Sequence, residues 1–321
     1  MHQTAKVLAG AKALLGNTGN RLGRSMQSFD ARRRADVFHR LHAAREALVL
    51  VNAWDAGSAR VLERAGAPAI ATTSAGMAWS LGYADGERVP TQAFVAAVAR
   101  MCRAVRVPIS VDIERGFGRD TDEVVALVRT LIGLGVVGVN IEDGVLAETH
   151  ALAASDVLCE RIEAIRETAT EMNARFFVNA RTDTYVVATD DRAARYTDTL
   201  RRAALYAAAG ADGIFVPGMD IEDVFPFARA ITLPLNVYAG GGWAPPVHLL
   251  RHAGVRRISL GCGPLQSVYG SLRNIANEAF VYGTYDTMSR QMLSVTEIND
   301  LFATDELSTF GRPGSSPRES C

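Results

Sequence analysis

Lysine is almost missing from this chain: of 321 residues only Lys6 and Lys12 are lysine, and the rest of the basic charge is arginine. A lysine Schiff base is thereby excluded from everything after residue 12. No apolar run approaches the roughly 20 residues needed to span a bilayer, and no apolar segment ends in a small-residue cleavage site. A net charge of −1 gives no pull toward nucleic acid or a membrane surface. No GxGxxG follows the first strand-like run, which argues against a dinucleotide site. Cys102, Cys159, Cys262 and Cys321 lack metal-ligand spacing. They read as thiols of a reducing compartment, so the expected location is cytoplasmic. His39, His42, His150, His248 and His252 form no triad-like arrangement. Acidic residues are absent from residues 1–29, which carry Lys6, Lys12, Arg21 and Arg24. Without a sustained amphipathic face, residues 1–30 read as a flexible N-terminal extension rather than a transit peptide. The Ser/Pro/Gly/Arg-rich tail at 306–321 reads as disordered.

What remains is 48% hydrophobic and ample for one large core. Apolar, β-rich runs at 47–52, 68–73, 107–112, 136–141, 175–180, 213–217, 233–238 and 256–260 alternate with segments of helical period at 56–65, 91–105, 121–134, 155–172, 191–209, 221–230 and 246–253. A helix is expected before them at 31–46 and two after them at 264–282 and 288–302. Eight apolar strands separated by helices predict a (β/α)8 TIM-type barrel over 31–305, rather than an open doubly wound sheet.

Polar residues gather just past the strand ends, on the rim where barrels build active sites. They include Asn52, Trp54 and Asp55, then Thr73 and Ser74, Asp112 and Glu114, Asn140, Glu142 and Asp143, Asn179, Arg181 and Asp183, and Asn236. Pairs at i, i+2 share a face, so Asp112/Glu114, Asn140/Glu142 and Asn179/Arg181 can converge on one mouth. Carboxylates held that close repel, and one takes up a proton unless a cation intervenes. Oxygen-only ligands without His or Cys suit Mg²⁺, with Mn²⁺ as the substitute ion. The same pair could instead form salt bridges with Arg115, Arg119 or Arg181, and the residues alone leave both readings open. Arg181 can grip a carboxylate or phosphate through its planar fork. The turn Thr73-Ser74-Ala75-Gly76 offers hydroxyls and backbone N–H groups to an anion. The glycine-rich loops at 238–243 and 259–264 could hold phosphate, or simply turn tightly where helices begin.

These segments together resemble the isocitrate lyase / phosphoenolpyruvate mutase superfamily, in its phosphoenolpyruvate mutase-like and methylisocitrate lyase-like branch. The matching stretches are VNAWDAGSARVLERAGAPAIATTSAGMAWSLGYADGE (51–87), VPISVDIERGFG (107–118), GVVGVNIEDG (135–144), FFVNARTD (176–183), GADGIFVPG (210–218) and LPLNV (233–237). They run in the family's order over roughly residues 35 to 285. The resemblance implies a barrel with a helix-swapped C-terminal helix that assembles as a dimer of dimers, a homotetramer. It implies one Mg²⁺ among Asp85, Asp112, Glu114 and Glu142, with Asp112 closest and the others acting largely through waters. Asp85, in LGYADGE, matches the family's essential aspartate. Arg181 matches its substrate-binding arginine, Thr73–Gly76 its anion-holding backbone, and Asn236 a residue lining the pocket. With Trp54 and Asn140 these form the expected substrate-binding set, and Asp85 and Arg181 are also expected to be catalytic.

In one place the chain departs from the pattern. The family's lyases carry a Lys-Arg-Cys-Gly loop after the fourth strand, and its mutases carry Lys and Asn there. Residues 142–162 contain no lysine, and Cys159 lies too far along, on the next helix. Glu148 and His150 are the replacement proton carriers that this loop offers. The expected activity is a Mg²⁺-dependent lyase that cleaves a C–C bond of a small α-oxo or α-hydroxy carboxylate through a metal-stabilised enolate, as in methylisocitrate cleavage or oxaloacetate decarboxylation. The alternatives are a phosphonomutase-like or phosphonopyruvate-hydrolysing enzyme and, in another class, a non-catalytic barrel that binds a dicarboxylate.

Overall fold

The computed structural model of the protein describes residues 21–144, 152–187, 191–241 and 244–303. The strands are β1 (Leu48–Leu50), β2 (Ile70–Ala71), β3 (Ile109–Asp112), β4 (Gly138–Glu142), β5 (Phe177–Arg181), β6 (Gly213–Val216), β7 (Leu235–Tyr238) and β8 (Arg257–Ser259). The helices are α1 (Arg21–Ala43), α2 (Ala56–Arg64), α3 (Ser74–Ser80), α4 (Thr91–Ala104), α5 (Thr121–Gly133), α6 (Ser155–Glu171), α7 (Arg192–Ala208), α8 (Ile221–Ala230), α9 (Val247–His252) and α10 (Gly263–Asn277). Every expected strand is present; most begin one or two residues later than expected, and β4 and β5 run one residue past their expected ends. The leading helix begins at Arg21, earlier than the expected start at 31, and ends before 46.

All strand pairs are parallel, in the order β1-β8-β7-β6-β5-β4-β3-β2. The seam between β1 and β2 is a single parallel bridge, Ala53 to Thr72. Asn52 spans that seam: its Nδ2 donates to the Thr72 carbonyl (2.7 Å), and its Oδ1 accepts from the Gly261 N–H (2.8 Å). Alternation along each strand separates two environments. Val111, Val139, Ile141, Val178, Ala180, Ile214, Val216 and Val237 face the helices and build the main core. Between them Ser110, Asp112, Asn140, Asn179 and Asn236 turn inward, so the barrel interior is polar toward its C-terminal end. At the other end α1 lays Ala35 and Phe38 against Leu48, Ala69, Val137 and Phe177. His42 stacks on Phe177 with ring centroids 4.1 Å apart.

The chain divides into two compact units, Met1–Gly270 and Ser271–Cys321. In the second, a π-helical turn (Glu278–Tyr282) precedes α11 (Asp286–Ser289) and α12 (Val295–Phe302). Glu278 ties the turn to α11 by accepting from Thr284 Oγ1 and from the Asp286 and Thr287 N–H groups. Apolar side chains of this unit are open to solvent, Phe280 at 86% and Val295 at 78%. Among the described residues no helix is long and apolar enough to cross a membrane.

Candidate functional site

β3 ends on Asp112, which is buried. Its Oδ2 accepts from the Ser74 hydroxyl (2.9 Å) and the Ser74 N–H (3.2 Å), and its own N–H donates to Thr72 Oγ1 (2.9 Å). The Thr73–Gly76 turn is therefore engaged: it is the start of α3, capped by Thr73, and Ser74 faces Asp112. A Cβ on Gly76 would lie 2.6 Å from Thr73 Cγ2 and 3.2 Å from Trp54 Cβ, which explains glycine there and places Trp54 against the turn.

Past β3 the chain bends sharply. Glu114 and Phe117 both take positive φ, at 50° and 53°, with Gly116 between them at 114°. Side chains rarely adopt this region without outside support. Glu87, itself at φ 59°, supplies it. Its carboxylate accepts from the N–H groups of Arg115 (3.1 Å) and Phe117 (2.8 Å) and pairs with the Arg115 guanidinium. Glu87 lies two positions after Asp85, so this clamp ties the Asp85 loop to the Glu114 loop. Burial, then Asp85, Asp112 and Glu87, push the Glu114 carboxyl up from 4.5 to about 8. Asp85 is exposed, yet loss of water around its carboxyl and the charge of Asp112 raise it too.

β4 and β5 place Glu142 and Arg181 in register. Arg181 Nη1 stands 2.9 Å from Glu142 Oε2, an ion pair without hydrogen-bond geometry. Its Nε and Nη2 grip Asp183 at 2.6 and 3.0 Å. Burial opposes the charge of Arg181, but Glu142 and Asp183 outweigh it and hold the guanidinium charged. Burial pushes Glu142 well up, and Asp183, Asp112 and Glu114 add to the push against the pull of Arg181. Asn140 and Asn179 are joined by a 2.9 Å amide bond within the barrel. Asn236 accepts from the Ser259 hydroxyl at 3.2 Å.

Asp85, Asp112, Glu114, Glu142 and Arg181 thus act on one another electrostatically at one rim. Among the described residues no three His, Cys, Asp or Glu side chains stand close enough to ligate an ion directly. Ser74 and Arg181 engage two of the carboxylates instead. An oxygen-only donor set of this kind fits a Mg²⁺ that keeps most of its waters. Two expected rim acids are structural. Asp55 caps α2 through a reciprocal box with Ser58. Asp143 accepts from Tyr206 (2.6 Å), Arg202 (3.0 Å) and the Asp183 N–H (3.0 Å). The chain just past β7 packs closely on the chain just past β8: a Cβ on Gly240 would lie 2.0 Å from the Leu260 carbonyl oxygen. Cys159 lies on α6, as expected. Glu148 and His150 lie outside the described residues. Sequence reasoning missed Glu87 and Arg257. The first was hidden in a loop whose acids look alike; the second was visible as a charge inside an otherwise apolar strand.

The family model for phosphoenolpyruvate phosphomutase matches residues 38–280. The uncharacterized protein Rv1998c of Mycobacterium tuberculosis (strain ATCC 25618 / H37Rv) is 36% identical over 228 residues, covering 71% of this chain and 82% of its own. The 2-methylisocitrate lyase of Aeropyrum pernix is 26% identical over 271 residues, covering 83% and 86%. The crystal structure of a Burkholderia cenocepacia J2315 protein described provisionally as a phosphonomutase superposes with a TM-score of 0.72 at 37% identity, covering 76% of this chain and 99% of that one. With three quarters of its length matched by one family model, the chain belongs to the phosphoenolpyruvate phosphomutase family, within the isocitrate lyase / phosphoenolpyruvate mutase superfamily of lyases and mutases.

Proposed function

We propose that the protein is a Mg²⁺-dependent lyase that cleaves a C–C bond of a small α-oxo or α-hydroxy carboxylate. The observation that carries this is the set of carboxyls Asp85, Glu114 and Glu142, each raised by burial and by its acidic neighbours around Asp112. A divalent cation relieves that repulsion. Asp112, Asp85, Glu114 and Glu142 are the residues that would hold it. When bound, Mg²⁺ supplies positive charge against the oxygen that becomes negative as an enolate forms. Arg181 orients the substrate carboxylate. Its grip on Asp183 is a true fork, whereas its contact with Glu142 lacks hydrogen-bond geometry, so the Nη1 side is where a substrate competes best. Trp54, Asn140 and Asn236 line the pocket, and Glu148 and His150 are the proton carriers in the loop after β4. The exposed apolar side chains of the second unit support assembly through it, as a dimer of dimers.

A thermal-shift titration tests this reading. Mg²⁺ with oxalate should stabilise the protein more than either alone, and Asp112→Ala should abolish the effect while still folding. An unfolded Asp112→Ala would mean that the carboxylate serves Ser74 rather than a metal. No Mg²⁺-dependent oxalate stabilisation would sink the enzymatic reading. The Burkholderia match favours a second reading, C–P chemistry. Release of phosphate or transfer of phosphorus from phosphonopyruvate, followed by ³¹P NMR, distinguishes it from turnover of an α-oxo acid panel.

A further inference from the structure

The buried residues of α7 are Thr199, Arg202, Ala203 and Tyr206, which share one stripe of the helix. Such a stripe is ordinarily apolar, yet Arg202 and Tyr206 spend it on Asp143, the residue that follows Glu142. Asp143 Oδ2 accepts from the Tyr206 hydroxyl at 2.6 Å and from Arg202 Nη1 at 3.0 Å. Arg202 is itself held. Its Nε donates to Asp198 Oδ2 at 2.8 Å, and its Nη1 also reaches the Ala153 carbonyl at 3.0 Å. The backbone of Asp143 is fixed as well: its N–H donates to the Arg181 carbonyl (3.3 Å), and its carbonyl accepts from the Ala153 N–H (2.7 Å). Asp143, Arg202 and Tyr206 are all buried, so bulk water does not compete for these bonds.

The other oxygen of Asp143 faces the site. Its Oδ1 accepts from the Asp183 N–H at 3.0 Å, and Asp183 gives both of its own oxygens to Arg181, Oδ1 to Nε at 2.6 Å and Oδ2 to Nη2 at 3.0 Å. The bonds are continuous from helix to rim. Tyr206 and Arg202 fix one oxygen of Asp143, the other oxygen fixes the Asp183 backbone, and the Asp183 carboxylate fixes the plane of the guanidinium. Because that plane is rigid, holding Nε and Nη2 also sets where Nη1 points. A second contact from α7 steadies the same loop: the Thr184 and Thr199 hydroxyls are 2.7 Å apart. Replacing a buried ion pair by packed apolar groups is often neutral for stability, so stability alone does not demand charge behind the rim.

We propose that Tyr206 and Arg202 are positioning residues for substrate binding: through Asp143 and Asp183 they fix the plane of Arg181 and so aim Nη1 at the substrate carboxylate. This rests on the reading of Arg181 as the group that orients that carboxylate. Neither α7 residue touches substrate. The cluster acts on the carboxylate and not on the metal, because Asp112 is held separately by Ser74, and the bend that carries Glu114 is held by Glu87.

Tyr206→Phe removes one O–H and leaves the ring and the Arg202 bond in place. Calorimetric titration with Mg²⁺ alone, and then with oxalate in saturating Mg²⁺, reads the two halves of the site separately. Tyr206→Phe should weaken oxalate on the order of 10-fold, as loss of a partner behind a binding group typically does. Its affinity for Mg²⁺ alone should stay within about 2-fold of wild type. Arg181→Lys should weaken oxalate by itself, and adding Tyr206→Phe to it should change the affinity by no more than about 2-fold, because lysine has no plane to aim. Where Arg181→Lys binds oxalate too weakly to titrate, Asp183→Asn breaks the same chain of bonds and takes its place in the cycle. A cluster that only stabilises the fold gives the opposite pattern: Tyr206→Phe lowers Mg²⁺ and oxalate affinity together and adds in full to Arg181→Lys. That pattern, or a folded Tyr206→Phe with wild-type oxalate affinity, overturns the proposal and leaves the reading of Arg181 in place. If Tyr206→Phe does not fold, Arg202→Lys, which keeps the charge and loses the fork, is judged by the same outcomes. A wild type that binds no oxalate in Mg²⁺ removes the lyase reading and the proposal with it.

Discussion

Replacing Glu114 by glutamine should stabilise the metal-free protein at alkaline pH and flatten its pH profile. Glu114 is 6% exposed, and in the fold its carboxyl is pushed up from 4.5 to about 8, by burial first and then by Asp85, Asp112 and Glu87. Below pH 4.5 folded and unfolded chains both carry the proton. Between 4.5 and about 8 the unfolded chain releases it and the folded chain keeps it, so stability falls as pH rises, by at most ~1.4 kcal/mol per pH unit. The full linkage is on the order of 5 kcal/mol. Glu142 and Asp85 titrate in the same direction and share the repulsion, which brings the part assigned to Glu114 to about 2–3 kcal/mol. Urea denaturation in EDTA between pH 5 and 9 measures it. The wild type should lose stability across that range, Glu114→Gln should lose less, and Mg²⁺ should flatten the wild-type curve. A metal-free wild type whose stability is level or rising from pH 5 to 8 would refute the account of the acidic rim, as would a Glu114→Gln profile with unchanged slope.

Glu87→Ala removes the acceptor for two backbone N–H groups and the partner of Arg115. It should cost about 2–4 kcal/mol in urea and weaken Mg²⁺ binding, because the loop carrying Glu114 loses its clamp. Asp55→Ala breaks the capping box of α2 and should cost ~1 kcal/mol in thermal unfolding with turnover unchanged, which separates this rim acid from the catalytic set. Gly240→Ala forces a methyl against the Leu260 carbonyl and should lower the melting temperature by the equivalent of about 3 kcal/mol, measurable by calorimetry.

The barrel was legible because its signal is periodic. Each strand is a short apolar run flanked by a helical segment, and the eight runs at 47–52 through 256–260 fall on the eight observed strands. The rim was legible for a related reason. Parallel strands all end on the same side, so polar residues past each end, such as Asp112, Glu142 and Arg181, must meet there. Asp85 was not legible from spacing, because it stands in a loop well beyond β2, and only the family resemblance singled it out. Asp55, Asp112 and Asp143 looked alike as acids just past strand ends. Their partners differ: Ser58 makes the first a cap, Ser74 holds the second at the rim, and Arg202 with Tyr206 locks the third behind it.

The sequence by itself determined the (β/α)8 order, the face on which the polar residues lie, and the exclusion of lysine chemistry from the barrel. Each of these depends on period and composition along the chain. Which acids repel, which are capped, and which arginine is left with donors to spare depends on contacts between residues far apart in sequence. Glu87 reaches Phe117 across 30 positions and Gly261 reaches Asn52 across 209, and the barrel's closure brings them together. The charge of Arg257 was written in β8 for any reader, but only the folded barrel left its two terminal nitrogens without an acceptor among the described residues.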